Sequence, residues 1–387
     1  MDALDPRRTV AELRELAALT SDERGAQRVA FTEPWERARA WLRERLAELP
    51  VDVREDGARN LWATLAGARG PAVALGSHLD SVPDGGWLDG ALGVLAGLAV
   101  LRAAGPRPER SLVLVDWADE EGRFGHSLLG SSASAGLLRT VPAGAEGLID
   151  LAARDQRPPL AAYLELHIEQ GPVLERAGAP LAAVSGTFGV RRDRLVYEGR
   201  AAHAGATPMD ARRDPVAAAA RFTLAARETA RHLSGLVTIG ALGAEPGTPT
   251  AIAARCVLTV DARHADAEGL EELHGALRAD AAAAAARERC ALELKPLLTI
   301  DPIAFDPRLV ERARAVAAAL GSPHPPLVSG PLHDAVAMAQ AGVPAAMLFV
   351  RSRGGVSHSP EEDSDEADLE LAVRALGELA AAAPARD

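Results

Sequence analysis

The sequence predicts an α/β fold in which helices cover both faces of a central, mostly parallel sheet. Short apolar runs with strand composition alternate with longer segments of helical spacing, a pattern typical of such sheets. Four of the apolar runs are followed closely by aspartate, glutamate or histidine. In the middle of the chain the pattern changes to alternating strands and long amphipathic helices, which predicts a second, inserted α+β domain.

The first part of the chain begins with two predicted helices within residues 9–49. In the second of them, Trp35, Trp41 and Leu42 are among the apolar residues that recur at helical spacing. The runs that follow predict strands, with a helix at 91–104 among them. The predicted strands are residues 60–65, 72–75, 112–115 and 163–166.

The predicted insert covers residues 188–303. Its strands are expected at 194–198 and 256–261, and its helices at 214–233 and 267–287. The α/β pattern resumes near Pro307, with a helix at 309–320 and a strand at 345–350. We therefore expect one α/β domain formed by residues 1–187 and 304–387, interrupted by a domain of residues 188–303.

The composition excludes several classes of protein. The chain has 387 residues, of which 48% are hydrophobic and 25% charged, with a net charge of -12. Such an acidic excess argues against binding to nucleic acid, which requires a basic face. The N-terminus lacks the apolar core of a signal peptide, and the apolar run from Ala91 to Leu101 is too short to span a membrane. We expect a cytoplasmic protein that binds neither nucleic acid nor membranes.

Side chains able to bind metal follow four of the predicted strands. Because the carboxyl ends of parallel strands meet at one edge of a sheet, we expect these side chains to converge. They are His78, Asp80 and Asp89 in GSHLD and GGWLDG, Glu120 and Glu121 in DEEG, His167 and Glu169 in HIEQG, and His358 in GVSHSPE.

Each cluster alone also has an ordinary structural explanation. A single histidine is usually a surface or core residue, two glutamates favour a helix start, and the glycines around Asp89 are compatible with a tight turn. Together the clusters favour a metal site. Histidines and carboxylates without thiolates suit zinc, manganese, cobalt or nickel. Asp89 is placed to bridge two ions, and one of the adjacent glutamates is then left to act as a base.

These motifs resemble those of the M20-type metallohydrolases, and within them the hydantoinase/carbamoylase amidase branch. The similar stretches are GSHLDSVPDGGWLDGALGVLAGL, DEEGRFGHSLLGS, LELHIEQGPVLE, HAGATPMDARRDP, DARH and GVSHSPEE. The histidine of LHIEQGP separates this branch from ordinary M20 peptidases, which usually carry a carboxylate there. The resemblance implies a two-domain fold in which the insert is a lid and dimerisation domain, and hence a homodimer.

The resemblance also implies a ligand set for two divalent ions. His78, Asp89 and His167 would hold one ion, while Asp89, Glu121 and His358 would hold the other. Zinc or manganese is expected, with cobalt or nickel as further possibilities.

Further roles follow from the resemblance for other matching positions. Glu120 would be the general base and acid, and Asp80 would orient the first ligand histidine. His203, in the insert, would stabilise the oxyanion, in many relatives at the site of the partner subunit. Gln170 and Arg263 would contact substrate, Arg263 as the clamp for a carboxylate.

The sequence departs from the branch at positions that contact substrate. Thr250 stands where an asparagine is usual, Val190 where a glutamine is usual, and His333 lies in an altered Ser-Gly-Ala-Gly-His-Asp-Ala pattern. Thr250 and His333 are therefore further candidate substrate contacts. The intact ligand and base positions indicate an active hydrolase, and the changed contact positions allow a substrate other than the familiar ones.

The expected reaction is hydrolysis of the carbamoyl (ureido) C–N bond of a small carboxylated substrate. An N-carbamoyl-L-amino acid would release ammonia and carbon dioxide. The alternatives are an allantoate-type amidohydrolase, an N-acyl amino acid or dipeptide hydrolase with the same site, and a non-catalytic binding protein of this fold. The exact substrate, the native metal, the stereospecificity and the catabolic or biosynthetic role stay open.

Overall fold

In the computed structural model, which describes residues 4–382 with the exception of the side chain of Arg69, the chain divides into two compact units. One unit contains the chain up to Gly186 and from Ala304 onward, and the other contains Thr187–Ile303. The predicted domain limits at residues 1 and 387 lie outside the described residues. We describe each unit by itself.

The first part of the chain begins with two helices and then alternates strands with helices. Asp5 caps the first helix by accepting a hydrogen bond from the Arg8 N–H, and Pro6 opens it. The elements are α1 (Pro6–Thr20), β1 (Ser21–Asp22), β2 (Gly25–Ala26), α2 (Glu33–Leu46), β3 (Asp52–Glu55), β4 (Leu61–Leu65), β5 (Arg69–His78), α3 (Ala91–Ala103), β6 (Arg110–Trp117), α4 (Leu129–Ala135), β7 (Leu160–Ile168), α5 (Val173–Ala177) and β8 (Leu181–Thr187).

The middle of the chain forms an antiparallel sheet and two long helices. Its elements are β9 (Gly189–Glu198), β10 (Ala202–His203), α6 (Pro215–His232), β11 (Leu236–Glu245), β12 (Ala251–Ile252), β13 (Arg255–His264), α7 (Ala267–Glu288) and β14 (Ala291–Ile300). The sheet has the strand order β11-β13-β9-β14. Buried and half-buried residues alternate along β13, and Cys256 and Leu258 pack with Phe222 of α6 and Leu273 of α7. One face of the sheet therefore carries both helices.

The last part of the chain returns to the α/β pattern. It contains β15 (Ile303–Ala304), α8 (Pro307–Ala319), β16 (Leu327–Ser329), α9 (Asp334–Gln340), β17 (Ala345–Val350) and α10 (Glu366–Ala382). Asp306 caps α8 by accepting the N–H groups of Arg308 and Leu309. The predicted helix at 309–320 and the predicted strand at 345–350 are confirmed.

The large sheet confirms the predicted fold class. Its strand order is β15-β8-β17-β7-β5-β6-β4-β3, with β16 paired to β8. The four neighbours β17, β7, β5 and β6 are parallel, whereas β3, β4 and β8 pair antiparallel at the two sides. A mostly parallel sheet of this kind requires cover on both faces, which the helices of this unit supply.

The apolar run from Ala91 to Leu101 is a core helix. Every one of these residues is buried in α3. A Cβ atom on Gly93 would crowd the Leu166 carbonyl, and one on Gly97 would crowd Leu114, so the two glycines allow α3 to lie close to the sheet. Between residues 4 and 382, none of the helices combines the length and apolar composition needed to cross a bilayer.

Candidate metal centre

The candidate ligands lie at the carboxyl ends of four adjacent parallel strands. β5 ends at His78, and His167 is the penultimate residue of β7. Glu121 follows β6 and His358 follows β17, while Asp89 lies two residues before the start of α3. The order β17-β7-β5-β6 places these four strand ends side by side. The topology thus brings together residues that lie far apart in the chain.

His78, Asp89 and His167 form a first, fully buried donor set. Their donor atoms lie within 4.8 Å of one another. Asp89 Oδ1 lies 3.1 Å from His167 Nε2 and 3.8 Å from His78 Nε2. The Nδ1 atoms of the two rings make hydrogen bonds to the main-chain oxygens of Asp80, at 3.0 Å, and Ile168, at 2.9 Å. Nδ1 therefore carries the hydrogen, and each Nε2 keeps its lone pair for a ligand.

Asp89, Glu121 and His358 form a second donor set that shares Asp89 with the first. Their donor atoms also lie within 4.8 Å of one another. His358 Nε2 lies 3.2 Å from Asp89 Oδ2 and 3.3 Å from Glu121 Oε2. One oxygen of Asp89 therefore faces each set, which is the arrangement of a carboxylate that bridges two cations.

The electrostatics of these residues fit bound divalent cations. Burial, and after it the Asp89 charge, raises the pKa of Glu121 to about 8. The hydrogen bond to Asp89 is the largest cause that raises the pKa of His358 to about 9. His167 Nε2 and Glu121 Oε1 are buried without a hydrogen-bond partner. Buried carboxylates with unused nitrogen and oxygen donors indicate a site built for cations.

Glu120 lies beside the two donor sets without belonging to either. Its side chain is buried, and Oε2 lies 3.8 Å from His78 Nε2. Burial, followed by the neighbouring charge of Glu121, raises the pKa of Glu120 well above its usual value. A carboxyl group with a raised pKa next to a cation site has the chemistry of a general base and acid.

Asp80 contacts the centre differently from the prediction. Its carboxylate accepts the backbone N–H groups of Glu120, at 3.3 Å, and Glu121, at 3.2 Å. The carboxylate lies 3.8 Å from His78 Nδ1, which instead bonds to the Asp80 carbonyl. The tight turn after β5 brings the main-chain oxygen back to the imidazole. The side chain of Asp80 is thereby free to hold the glutamate pair.

Three non-glycine residues of the centre have left-handed backbone conformations. The φ angles are 56° at Asp119, 57° at Gln170 and 55° at His358. Such conformations are uncommon outside glycine and persist where surrounding contacts impose them. Each of the three follows a different strand of the parallel set, so the loops that carry the ligands are held in defined shapes.

Gln170 and His333 both contact the donor sets from within the same unit. Gln170 Nε2 donates to Asp89 Oδ2 at 3.0 Å. His333 is buried, its ring centroid lies 4.4 Å from that of His167, and its Nε2 lies 3.0 Å from Ser329 Oγ. In this structure the two residues support ligand side chains; their predicted contacts with substrate stay predictions.

A third group of metal-capable residues, Glu165, His167 and His333, is already committed to protein contacts. Its donor atoms lie within 4.8 Å of one another. The Glu165 carboxylate accepts hydrogen bonds from Ser77 Oγ, Tyr163 OH and the Ala335 N–H. We assign this group to the support of His167 and not to a further cation.

The remaining predicted residues lie in the inserted unit, and two of them, His203 and Thr250, lie at the short strand pair β10–β12. His203 faces Ala251 in that pair, and the Thr250 carbonyl accepts the Ala204 N–H. His203 Nδ1 accepts the N–H groups of Gly205 and Ala206, at 3.1 and 3.2 Å. The hydrogen of this imidazole is therefore on Nε2, where it can be donated.

Arg263 lies on β13 of the inserted unit. Its Nε donates to Asp261 Oδ1 at 2.7 Å, and Arg192 donates to the other oxygen of Asp261 at 2.9 and 2.6 Å. The carboxylate of Asp261 is thus held between two guanidinium groups. The predicted role of Arg263 toward a substrate carboxylate stays a prediction.

Sequence reasoning missed Glu362. It is buried and bonds to the backbone at Asp89. Its neighbour Glu361 is exposed, and the two adjacent glutamates look alike in the sequence. The only signal in the sequence is its position four residues after His358, in the same motif.

Comparisons with known proteins identify the family. The sequence pattern of "Peptidase family M20/M25/M40" matches residues 74–382. An N-carbamoyl-L-amino acid amidohydrolase of Geobacillus stearothermophilus is 37% identical over 91% of this chain and 92% of its own length. An allantoate amidohydrolase of Bacillus subtilis is 32% identical, with 93% of each chain covered.

A solved structure supports the same assignment. A hydantoinase/carbamoylase family amidase from Burkholderia ambifaria superposes with a TM-score of 0.90 at 33% identity, and the match covers 99% of this chain and 98% of that one. The predicted resemblance and the predicted enzyme class are confirmed. The chain therefore belongs to peptidase family M20/M25/M40, in its hydantoinase/carbamoylase amidase branch, and is a hydrolase of amide or ureido C–N bonds.

Proposed function

We propose that this hydrolase uses two divalent cations to cleave the carbamoyl C–N bond of a small carboxylated substrate, such as an N-carbamoyl-L-amino acid. The proposal rests on one observation: the two carboxylate oxygens of Asp89 face two histidine-containing donor sets, and the buried Glu120 lies beside them. The carbamoyl substrate is supported by the relative from Geobacillus stearothermophilus and by His167 in place of a peptidase carboxylate.

In this proposal the chain's own residues hold the cations. His78, Asp89 and His167 hold one, and Asp89, Glu121 and His358 hold the other. Two such cations supply Lewis acidity, which polarises a carbonyl group and makes water more acidic. Zinc and manganese suit these nitrogen and oxygen donors, and cobalt or nickel also match them.

Glu120 moves the proton. Its carboxylate takes a proton from the attacking water as the new C–O bond forms, and its carboxyl group returns that proton to nitrogen as the C–N bond breaks. The reaction balances with one water: a carbamoyl amino acid and water give the amino acid, ammonia and carbon dioxide. Asp80 holds the backbone of Glu120 in place through its N–H bond.

The inserted unit supplies the remaining groups of the proposal. His203, with its hydrogen on Nε2, donates to the developing oxyanion. Arg263 binds the substrate carboxylate, since a guanidinium forms a paired contact with it. Thr250 contributes a smaller polar contact than an asparagine would. We further propose that the protein is a homodimer, which a solution mass of twice 40.3 kDa would support.

The test is ammonia release by the zinc- or manganese-loaded protein across one substrate panel. The panel contains N-carbamoyl-L-amino acids, β-ureidopropionate and allantoate. We expect release from the carbamoyl amino acids. Release from allantoate alone would favour the second candidate, an allantoate-type amidohydrolase, which the 32% identity to the Bacillus subtilis protein supports. If the metal-loaded protein released ammonia from none of these substrates, both candidate activities would be overturned. N-acyl amino acids or dipeptides would then be the favoured substrates.

A further inference from the structure

We propose that Glu362 is a positioning residue that joins the turn carrying Asp89 to the loop carrying His358, and so sets the geometry of the second cation site. The inference rests on the proposed two-cation function and deepens it. Glu362 coordinates nothing itself. It acts through the two ligands that its carboxylate connects.

One oxygen of Glu362 holds the Asp89 turn. Glu362 is 2% exposed, and its Oε1 accepts the backbone N–H groups of Leu88 at 2.9 Å and Asp89 at 3.0 Å. Two bonds to consecutive N–H groups fix the position and direction of this backbone. The Asp89 side chain leaves the main chain at the position fixed in this way.

The other oxygen of Glu362 holds the His358 loop. Its Oε2 accepts a hydrogen bond from Ser357 Oγ at 2.7 Å, and Ser357 directly precedes His358. Glu362 and Asp89 are 273 residues apart in the chain. A single carboxylate therefore links the two segments whose ligands, Asp89 and His358, face each other across the second donor set.

The site around Glu362 leaves room for nothing but glycine at residue 86. A Cβ atom on Gly86 would collide with Cδ, Oε1 and Cβ of Glu362. Gly86, the second glycine of the pair before Asp89, thus has a role beyond forming a turn. It lets a buried carboxylate approach the backbone of the turn closely.

The same network reaches the carboxylate of Asp89. Gln170 Nε2 donates to Asp89 Oδ2 at 3.0 Å and to Ser357 Oγ at 3.2 Å. Ser357 Oγ also lies 3.3 Å from Asp89 Oδ2. The serine has one hydroxyl hydrogen, and the shorter contact to Glu362 takes it. Glu362 therefore keeps that hydrogen away from the Asp89 oxygen that faces His358.

A Glu362→Gln variant reverses this arrangement. The amide oxygen of glutamine can still accept the N–H groups of Leu88 and Asp89, but the amide nitrogen is a donor toward Ser357. The hydroxyl hydrogen of Ser357 then turns to Asp89 Oδ2, where it competes with a cation. Because loss of a partner of a ligand residue typically lowers metal affinity by about 10- to 100-fold, we expect a loss of that size at the second cation site.

The experiment titrates the metal-free protein with Zn²⁺ against a competing chelator and counts ions bound per chain. The wild type should bind two ions, and Glu362→Gln should lose affinity at one site more than at the other. Glu361→Gln is the matched control, because Glu361 is the adjacent glutamate and is exposed. It should bind two ions as the wild type does.

Ser357→Ala separates a positioning role from a purely structural one. This variant removes the hydroxyl between Glu362 and the loop and leaves both backbone bonds at Leu88 and Asp89 intact. We expect weaker binding at the same single site with unchanged melting of the metal-free protein. Two ions bound with wild-type affinity in both Glu362→Gln and Ser357→Ala would overturn the proposal. A wild type that binds no Zn²⁺ would overturn the proposed cation centre itself, a separate outcome.

Discussion

At the scale of single residues, two adjacent glutamates face different neighbours, and the proposed mechanism gives them different roles for that reason. Glu121 faces His358 at 3.3 Å and belongs to a donor set. Glu120 is buried next to that set, and its Oε2 lies 3.8 Å from His78 Nε2. Asp80 holds the backbone of both through their N–H groups. In the proposed mechanism, Glu121 is therefore a cation ligand and the adjacent Glu120 is the base.

Exchange of each glutamate for glutamine should separate these roles. Glu120→Gln should lower kcat by at least about 10²-fold, the usual contribution of general acid–base catalysis, with two metal ions still bound. Glu121→Gln should lose metal instead. Metal analysis of both purified variants beside their turnover is the measurement. Activity in Glu120→Gln close to that of the wild type would exclude Glu120 as the base.

At the scale of elements, the segment that carries the glutamates is held by the start of α4. Leu128, Leu129 and Gly130 donate their N–H groups to the carbonyls of Glu120, Asp119 and Ala118, respectively. Gly130 has no space for a side chain, because a Cβ there would meet Asn60 Oδ1 and the backbone of Ala118. The position of Glu120 therefore depends on a close contact between a helix and a strand end.

Gly130→Ala should destabilise the protein by about 1–3 kcal/mol, the usual cost of overpacking a core. Gly275→Ala is the matched control, since Gly275 is an exposed position in α7 with open space around it. The control should stabilise by roughly 0.5–1 kcal/mol, because alanine is the better helix former. Thermal melting of both variants measures the difference. Equal shifts in the same direction would contradict the proposed crowding.

A buried ion pair joins α2 to the large sheet. Arg39 Nε lies 3.0 Å from Asp116 Oδ2, with side-chain exposures of 2% and 0%. Arg39→Ala would leave the buried Asp116 carboxylate without its cationic partner, so we expect a loss of about 3–5 kcal/mol in unfolding free energy. Arg37→Ala, on the same helix, breaks only an exposed pair with Glu33 and should cost less than about 1 kcal/mol. Denaturant unfolding compares the two variants, and similar losses would contradict this interpretation.

At the scale of the whole molecule, the residues of both donor sets belong to one unit. His78, Asp89, Glu121 and His167 precede the insert, and His358 follows it. The inserted unit has a core of its own, formed by α6, α7 and the antiparallel sheet. Cation binding should therefore act on the stability of the first unit.

Removal of metal by a chelator should abolish activity and increase amide hydrogen exchange in the first unit. The loops around His78, Glu121 and His358 should exchange faster, whereas strand β13 of the insert should keep its protection. We expect this loss of protection because a cation at 100 times its Kd stabilises the folded state by about 2.7 kcal/mol, and the chelator removes that stabilisation. Hydrogen exchange with mass spectrometry checks this, and renewed protection after addition of Zn²⁺ is the control. An equal loss of protection in both units would contradict the expectation that cation binding stabilises the first unit.

The amino-acid pattern was enough to predict β4 to β7 and β17 of the large sheet, most of the α-helices and the candidate ligands. Apolar period and composition are local properties, so the amino-acid pattern alone is sufficient to locate β4, β7 and β17. The ligands could be recognised because they follow strands whose carboxyl ends must meet at one edge. Strands with exposed or irregular patterns, such as β11 and β14, were not predicted, because their pairing and not their composition makes them strands.

The contacts that orient the candidate ligands became visible only in the folded chain. The Asp80 carboxylate holds the N–H groups of Glu120 and Glu121, and Glu362 holds a turn 273 residues away. Hydrogen bonds between distant segments depend on where the folded backbone places each donor and acceptor. Residue type reports which atoms can donate or accept. The fold decides which of them meet.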